Sequence, residues 1–170
     1  MNRFFGGQRP APMLISWEIG SHVAHHFGME AKQDGAKFIE AEHMLLALVS
    51  DPESDAAKLL IEFGLDRERL NSALRDERRR TLAFAGMNAP DLKLVEATEL
   101  ESSPSLGTSA KAAVRRALIG SHRDHRRRSR LRSTDLLAGI LEADLGTVPR
   151  ALAIAGIDRA ALIARARGSE

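Results

Sequence analysis

Three groups of side chains have types and spacings that can do chemistry. The first is Glu42-His43, an acid beside an imidazole, set just before the apolar run Met44-Leu45-Leu46-Ala47-Leu48-Val49. An acid/base pair is one reading, and an anion- or peptide-contacting carboxylate is another. Neighbours on a helix point about 100° apart, so the pair does not converge on one substrate atom, and no nucleophile accompanies it. The structural reading is stronger. A glutamate in a first turn favours the helix dipole, and a histidine there can satisfy a buried loop carbonyl through its ring N–H.

The second group is His22, His25 and His26, at i, i+3 and i+4, with Glu18 four residues ahead. The spacing can supply metal ligands. No H-E-x-x-H is present, so packing or solvated histidines are expected and no metal is assigned. The third is RDHRRRSRLR, which carries Arg123, Arg126, Arg127, Arg128, Arg130 and Arg132 within ten residues. It is a candidate basic contact patch for phosphate, acidic peptide or nucleic acid. No aromatics are interleaved for base stacking, so a solvated loop or an acidic-partner contact is expected before nucleic acid.

The elements that must position these residues come in two copies. At an offset of 92 residues Leu45 meets Leu137, Leu60 meets Leu152, and Gly64-Leu65-Asp66-Arg67 meets Gly156-Ile157-Asp158-Arg159. Lys58 meets Arg150, Leu70 meets Leu162, and no gap is needed from 42 to 75. Each copy reads as helices. Met44, Leu45, Leu48 and Val49 make one face, and DPESD breaks that helix at Pro52. Ser54 caps the next helix, which shows Ala57, Leu60 and Ile61. Gly64 stops it and Asp66 caps RERLNSALRDERRRTLAF. The second copy repeats the scheme with a break at Leu145-Gly146, Thr147 as cap, Gly156 as stop and Asp158 as cap. A longer helix is expected before each copy, over residues 13–33 and 107–127.

The division that follows is a loose tail at 1–12, a first repeat at 13–84, a connector at 85–106 and a second repeat at 107–168. Within the connector, DLKLVEA can be a short extended piece. The expected cores are Leu45, Leu48, Leu60, Leu70 and Leu74, then Leu137, Ile140, Leu152, Leu162 and Ile163. Trp17, Phe27, Phe38 and Phe63 are read as core, with Trp17 and Phe27 as candidates for lining a peptide groove.

Composition narrows the function classes. The 170 residues suffice to bury a core. Apolar content of 44% and charged content of 28% are those of a soluble globule, and the Ala-, Leu- and Arg-rich mixture favours helix. A net charge of +2 is not that of a polycation. The absence of cysteine excludes disulfides, thiolate metal sites and thiol nucleophiles. The first residues lack the apolar core of a signal peptide, and no apolar run approaches the roughly 18 residues of a membrane span. A cytoplasmic location is expected.

Glu42-His43-Met44-Leu45-Leu46-Ala47-Leu48-Val49, then Ala56-Ala57-Lys58-Leu59-Leu60-Ile61-Glu62-Phe63-Gly64-Leu65-Asp66, resembles the repeat of the Clp N-terminal domain, or Clp R domain. That family supplies the front modules of unfoldases such as ClpA, ClpB and ClpC. Gly35, seven residues before Glu42, agrees with the family spacing; Ala41 stands where a threonine is common, and Thr134-Asp135 where Glu-His is usual. The resemblance covers most of residues 13–168. It implies an all-α fold of two pseudo-twofold related four-helix repeats, about eight helices in all. It also implies substrate or adaptor binding. In ClpC-like members the repeat glutamates help hold phosphorylated arginine, which makes Glu42 and Thr134 the corresponding positions for a peptide or phosphoarginine-like group.

No G-x-x-x-x-G-K-[ST] phosphate cradle occurs. The expectation is a stand-alone member without the nucleotide-driven motor. It would be a non-enzymatic module without cofactor that binds protein or peptide clients, a Clp unfoldase or an adaptor. The alternatives are a nucleic-acid-binding regulator using residues 123–132, or a small-molecule sequestering protein.

Overall fold

The computed structural model describes residues 21–87, 104–123 and 131–168, with side chains at 25–87, 104–121 and 131–168. Eight helices lie in these residues. The first four are α1 Ser21–Gln33, α2 Ala41–Val49, α3 Asp55–Glu62 and α4 Arg67–Phe84. The second four are α5 Thr108–Arg123, α6 Ser133–Leu141, α7 Thr147–Ile154 and α8 Arg159–Arg167. Two-residue strands β1 Phe38–Ile39 and β2 Ser105–Leu106 pair in parallel, Phe38 opposite Ser105. The stretch DLKLVEA lies outside the described residues.

The repeated G-[LI]-D-R segment shows why both halves fold alike. Gly64 and Gly156 have φ of 73° and 68°, a left-handed conformation that glycine takes without a Cβ penalty. The following amides bond back across the helix end, Leu65 N–H to Leu60 O at 2.9 Å and Ile157 N–H to Leu152 O at 3.0 Å. The aspartates then cap α4 and α8, accepting from Arg69 N–H at 2.7 Å and Ala161 N–H at 3.0 Å. The arginines reach the C-terminal end of the second helix of their own repeat. Arg67 donates to Ser50 Oγ and lies near Leu46 O, and Arg159 donates to Ala143 O. Four residues thus stop one helix, start the next and satisfy a third helix's orphan carbonyls.

Ser54 caps α3 as expected, accepting from Ala57 N–H at 3.0 Å. Thr147 does not cap α7. Gly146 is the cap residue, with φ of 124°, and Thr147 is the first helical residue. The turn after α6 enters the helix through a backbone conformation that favours glycine, which moves the start one position upstream.

Helices α2 and α6 form the centre. Every residue of α2 except Glu42 is buried, as are Asp135 through Leu141 of α6. Helix α4 packs on α7 of the other repeat, and α8 packs on α3. The repeats therefore interlock around one continuous apolar cluster. Glu77, buried on α4, fastens this crossing by accepting from Arg150 Nε at 2.6 Å and from Thr81 Oγ1 at 2.8 Å. Helices α5 and α6 approach so closely that a Cβ on Gly139 would lie 2.3 Å from Ala113 O.

Most expected core leucines are buried, and Leu74, Ile163 and Phe63 are partly so. Two assignments change. The buried stripe of α3 is Ala56, Ala57, Leu59 and Leu60, which leaves Ile61 exposed. Phe38 is 54% exposed, because side chains alternate along β1 and Ile39 takes the inward side.

Candidate binding site

The start of α2 is built from two hydrogen-bonded corners. The Glu40 carboxylate accepts from Ser109 N–H at 2.9 Å and Ser109 Oγ at 2.5 Å, and Ser109 Oγ accepts from Ala41 N–H at 2.8 Å. Glu40 thereby satisfies an orphan amide of α5 and joins the N-termini of α2 and α5. His43 makes the other corner. Its Nδ1 accepts the backbone N–H of Glu40 at 2.9 Å. The histidine therefore acts as an acceptor for a backbone amide, where the sequence suggested a donor to a carbonyl. Asp135 does the same in the second repeat, accepting from Arg132 N–H at 3.0 Å.

On its far side, His43 Nε2 lies 3.5 Å from Asp34 Oδ2. Asp34 also receives two bonds from Arg78, at 3.2 and 2.7 Å. The His43 ring and the Arg78 guanidinium hold the Asp34 carboxyl well below the usual carboxylate range, against the opposing effect of partial burial. Asp34 in turn raises the Arg78 guanidinium above its ordinary value, with Glu42 adding to the effect.

Glu42 separates from His43 as helix geometry requires. It is half-buried and makes no hydrogen bond or ion pair among the described residues. It stands where two clefts meet, with Thr147 on the shared rim. One cleft, of about 320 Å³, is lined by charged and amide side chains from α1, α2 and α4. The other, of about 390 Å³, is walled by Ala112, Ala143, Leu145, Val148 and Pro149. Leu145 is 89% exposed at that wall. The sequence carried no local signal for these clefts, because their walls come from helices distant along the chain.

Thr134, the counterpart of Glu42, is half-buried in the first turn of α6 and lines neither cleft. Phe27 is 2% exposed and packs in the core, so it offers no surface to a groove. Trp17 lies outside the described residues. Of the basic patch, Arg123 ends α5 and Arg132 precedes α6, with its Nε 3.5 Å from Asp135. Arg126, Arg127, Arg128 and Arg130 lie outside the described residues. His25 and His26 stand edge to face at 6.4 Å, and the side chain of His22 lies outside the described set. Among the described residues no cluster of His, Cys, Asp and Glu is arranged to hold a metal ion, and no helix is long and apolar enough to cross a membrane.

Comparison with known proteins agrees with this architecture. The structure is similar to the crystal structure of the N-terminal domain of the caseinolytic protease associated chaperone ClpD from Arabidopsis thaliana. The TM-score is 0.63 at 18% identity, over 89% of this chain and 94% of that one. At that identity the likeness concerns the fold, which is all-α. No match was found among curated proteins. The sequence profile of the Clp repeat (R) N-terminal domain matches residues 28–155. The chain belongs to the Clp repeat N-terminal domain family.

Proposed function

We propose that the protein is a non-catalytic module that binds protein or peptide in Clp-type protein quality control. It recognises clients or an adaptor, or regulates a Clp unfoldase, and it works in the cytoplasm. Family membership supports the general class. The observation that carries the site is the half-buried Glu42 carboxylate, without a hydrogen bond or ion pair among the described residues, between a charged cleft and an apolar one. A peptide crossing that ridge offers a donor or cationic group to Glu42 and an apolar side chain to the wall at Leu145. Nothing covalent is required, since affinity comes from desolvated contacts and their geometry.

The test is a crosslinking capture from lysate with the wild type, Glu42→Ala, and the triple variant Arg126→Ala/Arg127→Ala/Arg128→Ala. Clp components or unfolded clients should be captured by the wild type and depleted with Glu42→Ala. Repeated captures that contain neither class would refute the reading. Loss in the triple variant alone would move the contact to the basic segment.

A further inference from the structure

We propose that the charged cleft is a site for a free α-amino acid with an aliphatic side chain, bound as its zwitterion between α2 and α4. The cleft holds three arginines and three carboxylates, and two pairs cancel internally. Arg67 donates to Glu30 at 2.8 and 3.0 Å, and Arg78 to Asp34 at 3.2 and 2.7 Å. Among the described residues the Glu42 carboxylate and the exposed Arg75 guanidinium are left without a hydrogen bond or ion pair, Glu42 acting on Arg78 only at longer range. The Asn71 amide and the Thr147 hydroxyl, which also line the cleft, have no side-chain partner among the described residues.

The floor adds an independent sign. The His43 side chain is 4% exposed and lines this cleft. Because Nδ1 accepts from Glu40, the ring proton is carried by Nε2. Among the described residues that N–H faces only Asp34 Oδ2, at 3.5 Å, an electrostatic contact too long to be a well-formed hydrogen bond. A buried donor left in this state carries a desolvation cost, which a ligand oxygen removes. The ligand ammonium binds Glu42, and its carboxylate is taken by Arg75, Asn71 and the His43 N–H. Leu46 and Leu74 supply an apolar wall for the side chain.

The fold does not need this set of groups. At the matching positions the second repeat has Thr134 for Glu42, Asp135 for His43 and Ile163 for Asn71. Its Arg167, in the place of Arg75, pairs with Glu142 through Nε and Nη2 at 2.9 and 2.7 Å, while its buried Nη1 has no hydrogen bond among the described residues. The same scaffold forms there without the free charges or the unbonded imidazole.

The experiment follows thermal unfolding of the full chain with L-leucine, N-acetyl-L-leucine, which lacks the ammonium, and L-leucinamide, which lacks the carboxylate. Because the site exists only in the folded chain, L-leucine should raise the midpoint in proportion to the logarithm of its concentration once above Kd. Both blocked compounds should bind at least about 10-fold more weakly, as should L-leucine to Glu42→Gln and to Arg75→Ala, the loss expected for one charge-assisted bond. Arg75 is exposed, so its variant keeps the fold.

No shift with L-leucine up to its solubility limit would overturn the site, as would equal shifts with the blocked compounds or an undiminished response in Arg75→Ala. If client capture nevertheless persists and stays sensitive to Glu42→Ala, the amino-acid site falls while the binding-module reading stands.

Discussion

Protonating Asp34 removes the charge that holds the His43 ring and the Arg78 guanidinium together at the edge of α2. Its carboxyl ordinarily titrates near 3.8, and in the folded protein it is pushed well below that. The unfolded chain therefore takes up the proton first as pH falls. The stability contributed by this group is complete above about pH 5 and is lost as pH drops below about 4 toward the depressed folded value. The urea midpoint should fall more steeply between pH 6 and pH 3 in the wild type than in Asp34→Asn. Identical acid slopes would show that Asp34 is not the group responsible. The caps at Asp66 and Asp158 make the same side-chain bond to the amide three residues on, from extended backbones of ψ 175° and 93°, so Asp66→Ala and Asp158→Ala should each cost about 1 kcal/mol. Urea titration at neutral pH measures both, and a several-fold disparity would contradict the equivalence of the two repeats.

Helix packing puts two glycines of the same chain to opposite use. Gly139 lies where α5 crosses α6, and Arg116 Nε donates to its carbonyl at 2.7 Å. Gly139→Ala forces the backbones of α5 and α6 apart, at a cost of about 1–3 kcal/mol, partly offset by a helix-propensity gain of about 1 kcal/mol. Gly28, on α1, faces open space at its would-be Cβ. There Gly28→Ala should stabilise by about 0.4–1 kcal/mol through the unfolded chain. Denaturant midpoints of the two variants should move in opposite directions. A shared direction would mean that propensity outweighs packing at the crossing.

Because α4 of the first repeat packs on α7 of the second, the halves have no separate cores to melt. Leu45→Ala and Leu137→Ala, at matching buried positions, should each lower stability by about 2–5 kcal/mol. Both should shift one common transition, followed by circular dichroism and by hydrogen exchange. Two separable transitions would contradict interlocking. The tie between Glu77 and Arg150 gives a sharper contrast. Arg150→Ala strands a buried carboxylate and should cost about 1–3 kcal/mol. Lys58, the matching residue of the first repeat, makes only an exposed bond to Glu53 O, and Lys58→Ala should stay within about 0.5 kcal/mol.

What could be read from the residues alone was whatever a helix decides within a turn of itself. The duplication, the stops at Gly64 and Gly156 and the caps at Ser54, Asp66 and Asp158 are local, because each bond joins residues three to five apart. They specify the helices and the family likeness with them. Tertiary structure decided which polar groups would be left over. Glu40 meets Ser109 across 69 residues and Glu77 meets Arg150 across 73, and no periodicity encodes such pairings. Once those partners are assigned, His43 becomes a structural acceptor and Phe38 turns outward. Leu145 is exposed in a cleft that both repeats line, and Glu42 keeps a charge without a hydrogen bond or ion pair among the described residues. A side chain's type fixes what it can bond, but only the packed neighbours determine whether that capacity is already used.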